Sequence, residues 1–159
     1  MTAAGGARAA GGPGAAGGPS AVSDHAASMD GMSDQSTGAA SPSVFSRIVA
    51  REIPADIVDE TDDLIAFRDI APQAPVHLLV VPKTERWRDV TELAVGDPAL
   101  LAEIVATADR LSRSADAFGE HADGEHRLVF NTGASAGQTV FHVHAHVLGG
   151  PLTEGTLAH

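Results

Sequence analysis

The stretch Gly137-Gln138-Thr139-Val140-Phe141-His142-Val143-His144-Ala145-His146-Val147-Leu148-Gly149-Gly150 alternates three histidines with apolar residues, directly after a loop of small residues. Successive side chains of a β-strand point to opposite faces, so the histidines would share one face at spacings of roughly 7 Å. A row of imidazoles beside a loop that presents backbone N–H groups suits phosphorus chemistry. We predict a strand whose other face is anchored to a core by Phe141, Val143, Ala145 and Val147.

Composition narrows the classes of protein to consider. The 159 residues carry a net charge of −11, contain no cysteine and include one lysine, Lys83. The acidic balance argues against nucleic acid and anionic membranes as partners, because both need a basic face. Without cysteine there are no disulfides, thiolate metal ligands or cysteine nucleophiles. No apolar run reaches the length of a membrane span, and residues 1–20 lack the pattern of a secretory signal, so a cytoplasmic location is expected.

The chain divides into a tail and one domain. Residues 1–42 are dominated by Gly, Ala, Ser and Pro, a composition that cannot offset the entropy of ordering by burial. We predict a disordered tail over 1–42 and one domain over 43–159. Inside the domain, 44–49 has helical apolar spacing, and the runs 57–60 and 64–68 are short strands joined by a hairpin turn at 61–63.

The remaining pattern predicts an α+β domain. Residues 76–81 are a buried strand between two prolines, and 126–131 are another strand. Asp97 as N-cap, Pro98 at the first position and apolar residues at helical spacing predict one main helix over 97–118, ended by Gly119. Short connections favour one antiparallel sheet with this helix on one face.

The alternating histidines have three interpretations. They are incidental polar residues on a half-exposed strand, zinc ligands in a His-x-His arrangement, or nucleophilic and acid–base groups. Strict period two among uncommon residues disfavours the first. The absence of Asp or Glu within the run disfavours the second, and we predict no metal and no cofactor.

Several motifs in order resemble the histidine triad (HIT) family, in its branch of nucleoside phosphoramidases. His142 to Leu148 match the signature of histidines alternating with apolar residues, and the similarity spans roughly 44–150. The other matching segments are 51–55, 66–77, 81–83, 129–133, 137–139 and 149–150. The resemblance implies a five-stranded antiparallel sheet with one main helix, a homodimer, and hydrolysis of purine nucleoside 5′-phosphoramidates to AMP or GMP. The alternative on the same fold is hydrolysis of dinucleoside polyphosphates.

The resemblance also implies residue roles. His144 would attack the α-phosphorus and form a nucleotidyl-histidine, flanked by His142 and His146, with His77 as a fourth histidine nearby. Gly137, Gln138 and Thr139 would place backbone N–H groups and a hydroxyl on the phosphate, and Asn131 would reach the phosphate or ribose. Asp69 would accept the ribose hydroxyls, with Ile70 against the base and Phe67 as a further candidate for the base pocket.

Taken residue by residue, four of these positions also fit ordinary structural roles. Asp69 also fits a turn carboxylate, Asn131 a strand-end cap, His77 a core histidine and Phe67 ordinary core. The sequence departs from the family pattern twice. Ser43-Val44-Phe45-Ser46 stands where many bacterial relatives have a zinc-binding Cys-x-x-Cys, so structural zinc is not expected. Residues 151–159 also lack the tryptophan of a longer C-terminal tail.

Overall fold

A computed structural model describes residues 41–153. The predicted tail therefore lies outside the described residues except for Ser41 and Pro42, as does the chain after Thr153. Among these residues five strands form one antiparallel sheet, which confirms the predicted α+β class and sheet. Their order across the sheet is Ile57–Glu60, Leu64–Arg68, Val76–Pro82, Ala145–Gly149 and Arg127–Val129. Within the described part, no helix is long and apolar enough to cross a bilayer. The strands are β1 (Ile57–Glu60), β2 (Leu64–Arg68), β3 (Val76–Pro82), β4 (Arg127–Val129) and β5 (Ala145–Gly149).

Strand β3 lies at the centre of the sheet, and all seven of its residues are buried. It pairs with β2 on one side and with β5 on the other, with Leu79 opposite His146 in the second pair. The predicted hairpin between β1 and β2 is confirmed, since Thr61 N–H donates to the Leu64 carbonyl and the Thr61 hydroxyl accepts Leu64 N–H. The central strand thus fixes the position of the histidine segment.

Helices cover both faces of the sheet. The main helix α3 (Pro98–Ser112) packs on one face, and α1 (Val44–Val49) packs on the other. Asp97 caps α3 by accepting Leu100 N–H at 3.0 Å, as predicted. The α3 face contains Val143, Ala145 and Val147, whereas the α1 face contains Phe45, Ile48, Ile65, Phe67, Leu79 and Val81. Because His146 is opposite Leu79, the histidines belong to the α1 face.

The predicted helix over 97–118 was too long. Helix α3 ends at Ser112, and a separate turn of helix, α4 (Ala115–Phe118), follows. The Ser112 hydroxyl donates to the Asp109 carbonyl at 2.7 Å and so competes with the helical pattern at this end. The break lets Phe118 turn into the core, where it is 1% exposed.

A short helix, α2 (Val90–Gly96), was not predicted from the sequence. Its N-cap is Asp89, which accepts the N–H groups of Thr91 and Glu92 at 2.9 and 3.0 Å. Asp followed three residues later by Glu resembles a capping box, so the signal was present. Helix α2 precedes α3 directly, with Asp97 between them.

The histidine strand is shorter than predicted. Strand β5 begins at Ala145, so His142 and His144 lie before it in a segment that is not part of the sheet. Continued pairing would place Val143 opposite Pro82, which has no N–H to donate. Val143 N–H instead donates to the Trp87 carbonyl at 3.0 Å. Side chains of this segment still alternate between the two faces of the sheet, although the segment is not paired to β3. Phe141 is the exception: it is 45% exposed, so its predicted place in the core was wrong.

Candidate active site

His144 is held in one tautomer by the main chain. Its Nδ1 lies 2.9 Å from the His142 carbonyl oxygen, which can only accept a hydrogen bond. The ring proton of a neutral His144 therefore sits on Nδ1, and Nε2 keeps its lone pair. Burial lowers the His144 pKa below its ordinary value, so the ring is neutral at pH 7. The outcome is an uncharged imidazole whose Nε2 can act as a nucleophile.

A second pair of histidines has fixed protons as well. His77 Nδ1 accepts Gln73 N–H at 3.0 Å, so the proton of neutral His77 sits on Nε2. That Nε2 lies 2.9 Å from His146 Nδ1, which must accept. His146 consequently carries its own proton on Nε2, where it is left to donate. Burial, with the neighbouring His144 and His77, lowers the pKa of His146 to about 3.

His142 differs from its two neighbours in the row. Its side chain is 1% exposed, and Nε2 donates to the Pro82 carbonyl at 2.7 Å. Nδ1 lies 2.7 Å from Ser43 Oγ, so both ring nitrogens have protein partners. Burial lowers the His142 pKa, which keeps the ring neutral. The sequence predicted that His142 flanks the nucleophile, and in the structure it contacts His144 through its main-chain carbonyl.

Asp69 and Ile70 follow β2 and lie beside the histidine pair. Asp69 N–H donates to the His77 carbonyl at 3.0 Å, and Asp69 Oδ1 accepts Ala71 N–H at 2.8 Å. Its Oδ2 is 3.6 Å from His77 Nε2. Ile70 is 58% exposed and so offers apolar surface next to this carboxylate. The structure thus brings Asp69, His77 and His146 together, and His77 lies near the triad as the resemblance implied.

Asp69, His77 and His146 also form a group whose possible ligand atoms all lie within 4.8 Å of one another. The hydrogen bonds argue against metal binding through His77. Its Nε2 could coordinate only if the proton moved to Nδ1, where Gln73 N–H already donates. Breaking that bond would cost roughly 0.5–1.5 kcal/mol, and it would leave the His77 Nδ1 proton facing a donor in place of an acceptor. The group as it stands is better suited to sharing a proton than to holding an ion.

The loop before the histidines is braced by its own hydrogen bonds. Gly137 N–H donates to the Ala134 carbonyl and Gln138 N–H to the Gly133 carbonyl, at 3.0 and 3.1 Å. The Gln138 side chain accepts Gly133 N–H at 2.9 Å and donates to the Arg88 carbonyl at 2.6 Å. The amides of Gly137 and Gln138 are therefore committed in this conformation, and their role as phosphate donors stays a prediction.

Thr139 and Asn131 lie at the two ends of this loop. Within residues 41–153, neither the amide nor the hydroxyl of exposed Thr139 has a hydrogen-bonding partner in the protein. Asn131 Nδ2 donates weakly to the Gly137 carbonyl, at 3.4 Å. Thr139 accordingly has an amide and a hydroxyl left to donate to a phosphate.

Phe67 was predicted as a candidate for the base pocket, and the structure contradicts this. It is 0% exposed and packs in the α1-side core, with its ring centroid 5.9 Å from that of Phe45. A ligand cannot reach it in this arrangement. Ile70 is exposed, and its contact with the base stays a prediction.

A family model described as HIT domain matches residues 50–151. The chain belongs to the HIT family. An uncharacterized HIT-like protein of Synechococcus elongatus is 46% identical over 107 residues, which cover 67% of this chain and 89% of the relative. The purine nucleoside phosphoramidase of Escherichia coli K12 is 39% identical over 120 residues, covering 76% and 97%. A solved HIT family hydrolase from Clostridium thermocellum shares 39% identity at a TM-score of 0.62, covering 70% and 93%.

Sequence reasoning missed four residues that set the geometry of this HIT site. Gln73 and Pro82 act through main-chain groups, and the pattern of residue types does not indicate which main-chain groups bind a side chain. Ser43 was noted only as a poor zinc ligand. Phe45 was assigned only to a helix, yet its ring centroid lies 4.9 Å from that of His144. The apolar spacing of 44–49 indicated a buried face, but nothing indicated that this face meets the histidines.

Proposed function

We propose that the protein hydrolyses purine nucleoside 5′-phosphoramidates to the nucleoside 5′-monophosphate and an amine. Membership of the HIT family and 39% identity to a purine nucleoside phosphoramidase support a nucleotide hydrolase. The observation that carries the proposal is the His144 tautomer, with Nδ1–H donated to a carbonyl and a free lone pair on Nε2. That arrangement is what an imidazole nucleophile requires.

In the proposed first step, His144 Nε2 bonds to the α-phosphorus and the P–N bond breaks. The ring then becomes a phosphorylated imidazolium, whose Nδ1–H still donates to the His142 carbonyl. That carbonyl dipole stabilises the positive charge that develops on the ring. The departing amine takes a proton from water, because neutral His146 is a hydrogen-bond donor and not an acid near pH 7. In the second step water attacks phosphorus, the P–Nε2 bond breaks, and one proton is released with the nucleotide.

The remaining groups have distinct proposed roles. His146 Nε2–H and the Thr139 amide and hydroxyl donate to the phosphate oxygens, which gather charge in the transition state. Asp69 accepts the ribose hydroxyls, which gives charge-assisted hydrogen bonds. Lys83 is engaged with Glu60 at 2.9 Å, so neutral donors carry the phosphate recognition. His142 and His77 hold the tautomers of their neighbours, and we keep the proposals for Gly137, Gln138, Asn131 and Ile70 as nucleotide contacts.

The test compares substrates and one variant. Purified protein is assayed with an adenosine 5′-phosphoramidate of a simple amine and with a diadenosine polyphosphate. In His144→Asn the side-chain amide can still donate to the His142 carbonyl, while the nucleophilic nitrogen is lost. We expect the phosphoramidate to be the better substrate and kcat of the variant to fall by about 10⁴-fold or more.

Two outcomes would contradict the proposal. Preference for the diadenosine polyphosphate would assign the site to phosphoanhydride cleavage. Loss of activity on treatment with a chelator, restored by a metal, would support the metal-dependent alternative. Light scattering on the same sample tests the predicted homodimer, which would appear as a particle of twice the 16.2 kDa chain mass.

A further inference from the structure

Helix α1 begins at a serine that contacts the catalytic segment. Ser43 caps the helix, since its Oγ accepts Ser46 N–H at 3.0 Å. Ser43 N–H donates to Glu85 Oε1 at 2.6 Å. Its Oγ also lies 2.7 Å from His142 Nδ1. One residue therefore joins the start of the helix, the loop after β3 and the first histidine of the triad.

The direction of the Ser43–His142 bond follows from the other side of the ring. His142 Nε2 faces the Pro82 carbonyl at 2.7 Å and must carry the ring proton. Nδ1 is then a bare acceptor, and the Ser43 hydroxyl is the donor. The hydroxyl proton of Ser46 is left for Glu85. Burial pushes the Glu85 pKa upward, but hydrogen bonds from Ser46 and Ser43 outweigh it and leave the pKa below its ordinary value.

The same histidine supplies the acceptor that fixes the nucleophile. The His142 carbonyl receives the His144 Nδ1 proton at 2.9 Å. Phe45, on the first turn of α1, packs edge-on against both rings, at centroid distances of 5.9 Å to His142 and 4.9 Å to His144. Helix α1 lies before residue 50, where the match to the HIT model begins. The helix thus contacts the triad from outside the matched region.

We propose that Ser43 is a positioning residue for the nucleophile: its hydroxyl holds the His142 ring, and through the His142 carbonyl it fixes the orientation and tautomer of His144. The proposal rests on the function proposed above. An N-cap alone would contribute only stability, typically about 1 kcal/mol. The two roles are separable because a cap affects unfolding, whereas a positioning contact also affects the rate of the chemical step.

The experiment compares Ser43→Ala and Ser43→Thr with Asp97→Ala, which removes the N-cap of α3 far from the histidines. Besides the melting temperature, two readouts are taken on the full chain. The nitrogen spectrum of the His142 ring is recorded without substrate, and kcat and KM are measured with the phosphoramidate. We expect Ser43→Ala to shift the His142 Nδ1 signal and to lower kcat about tenfold with little change in KM, as a small misplacement of a reacting group does. Ser43→Thr keeps the hydroxyl and should restore both readouts, and Asp97→Ala should lower only the melting temperature.

The proposal is overturned if Ser43→Ala keeps the wild-type kcat. It is likewise overturned if the variant leaves the His142 spectrum unchanged, whatever stability it loses. If the proposed function itself is wrong, wild-type protein will not turn over the phosphoramidate. The spectrum then still decides whether Ser43 holds the ring, since it is recorded without substrate.

Discussion

Acid should destabilise this fold through its buried histidines, and His146 allows the effect to be calculated. Burial and neighbouring histidines lower its pKa from 6.5 to about 3 in the folded protein. Below pH 6.5 the unfolded chain binds a proton that the folded chain refuses, so stability falls as the pH drops from 6.5 towards 3. At 1.36 kcal/mol per unit, His146 alone should cost about 2 kcal/mol of unfolding free energy between pH 7.5 and pH 5.

The assay is urea unfolding at pH 7.5, 6 and 5, on wild-type protein and His146→Gln. The glutamine can accept the His77 Nε2 proton but does not titrate, so the variant should lose about 2 kcal/mol less over this range. Ile104→Val is the control for stability alone, because it removes one buried methylene from the opposite face at a cost of about 1 kcal/mol. It should keep the wild-type dependence on pH. If His146→Gln also follows the wild-type slope, the reasoning about buried neutral histidines is refuted.

Three further predictions concern other groups. Asp69→Asn keeps the acceptor for Ala71 N–H but loses the charge, so KM for a ribonucleotide substrate should rise about tenfold, with less change for the 2′-deoxy analogue; equal changes would argue against ribose recognition. Gln138→Ala removes the brace of the loop and should lower kcat together with the free energy of unfolding, by about 1–3 kcal/mol for the latter; unchanged values would mean that the loop is held otherwise. Phe45→Leu leaves a smaller side chain against the histidines and should lower kcat more than Phe118→Leu, a buried substitution on the other face; the reverse order would place Phe45 in the core only.

The sheet and the histidine face could be predicted because each depends on local patterns. The β-branched run 76–81 between prolines predicted the central strand, and period two predicted which side chains of 142–147 face the core. The split after Ser112 and the late start of β5 could not be predicted in this way. The split follows a local bond of the Ser112 hydroxyl to the Asp109 carbonyl, which the spacing of apolar residues does not reveal. The late start of β5 depends on the bond of Val143 N–H to Trp87, which forms only once distant segments meet.

In the candidate site, too, the positions of side chains could be predicted from the sequence, whereas their hydrogen bonds could not. Residue types at motif positions placed His77, Asp69, His144 and His146 correctly near one another. The tautomers could not be predicted, since they are set by main-chain groups of residues 73, 82 and 142. The hydrogen bonds of the loop amides could not be predicted either, because a Gly-rich composition indicates a turn but does not show whether its N–H groups face outward or are used within the turn.

The proposed mechanism requires that His144 Nε2 bonds to the phosphorus of the nucleotide. The direct measurement is intact-mass analysis of enzyme mixed with an adenosine 5′-phosphoramidate and quenched with alkali during the first turnover, since phosphorus–imidazole bonds survive base better than acid. We expect an added mass of one adenylyl group in wild-type protein, located to residue 144 by peptide fragmentation and absent in His144→Asn. Full turnover with no adduct, or the adduct on another residue, would contradict it.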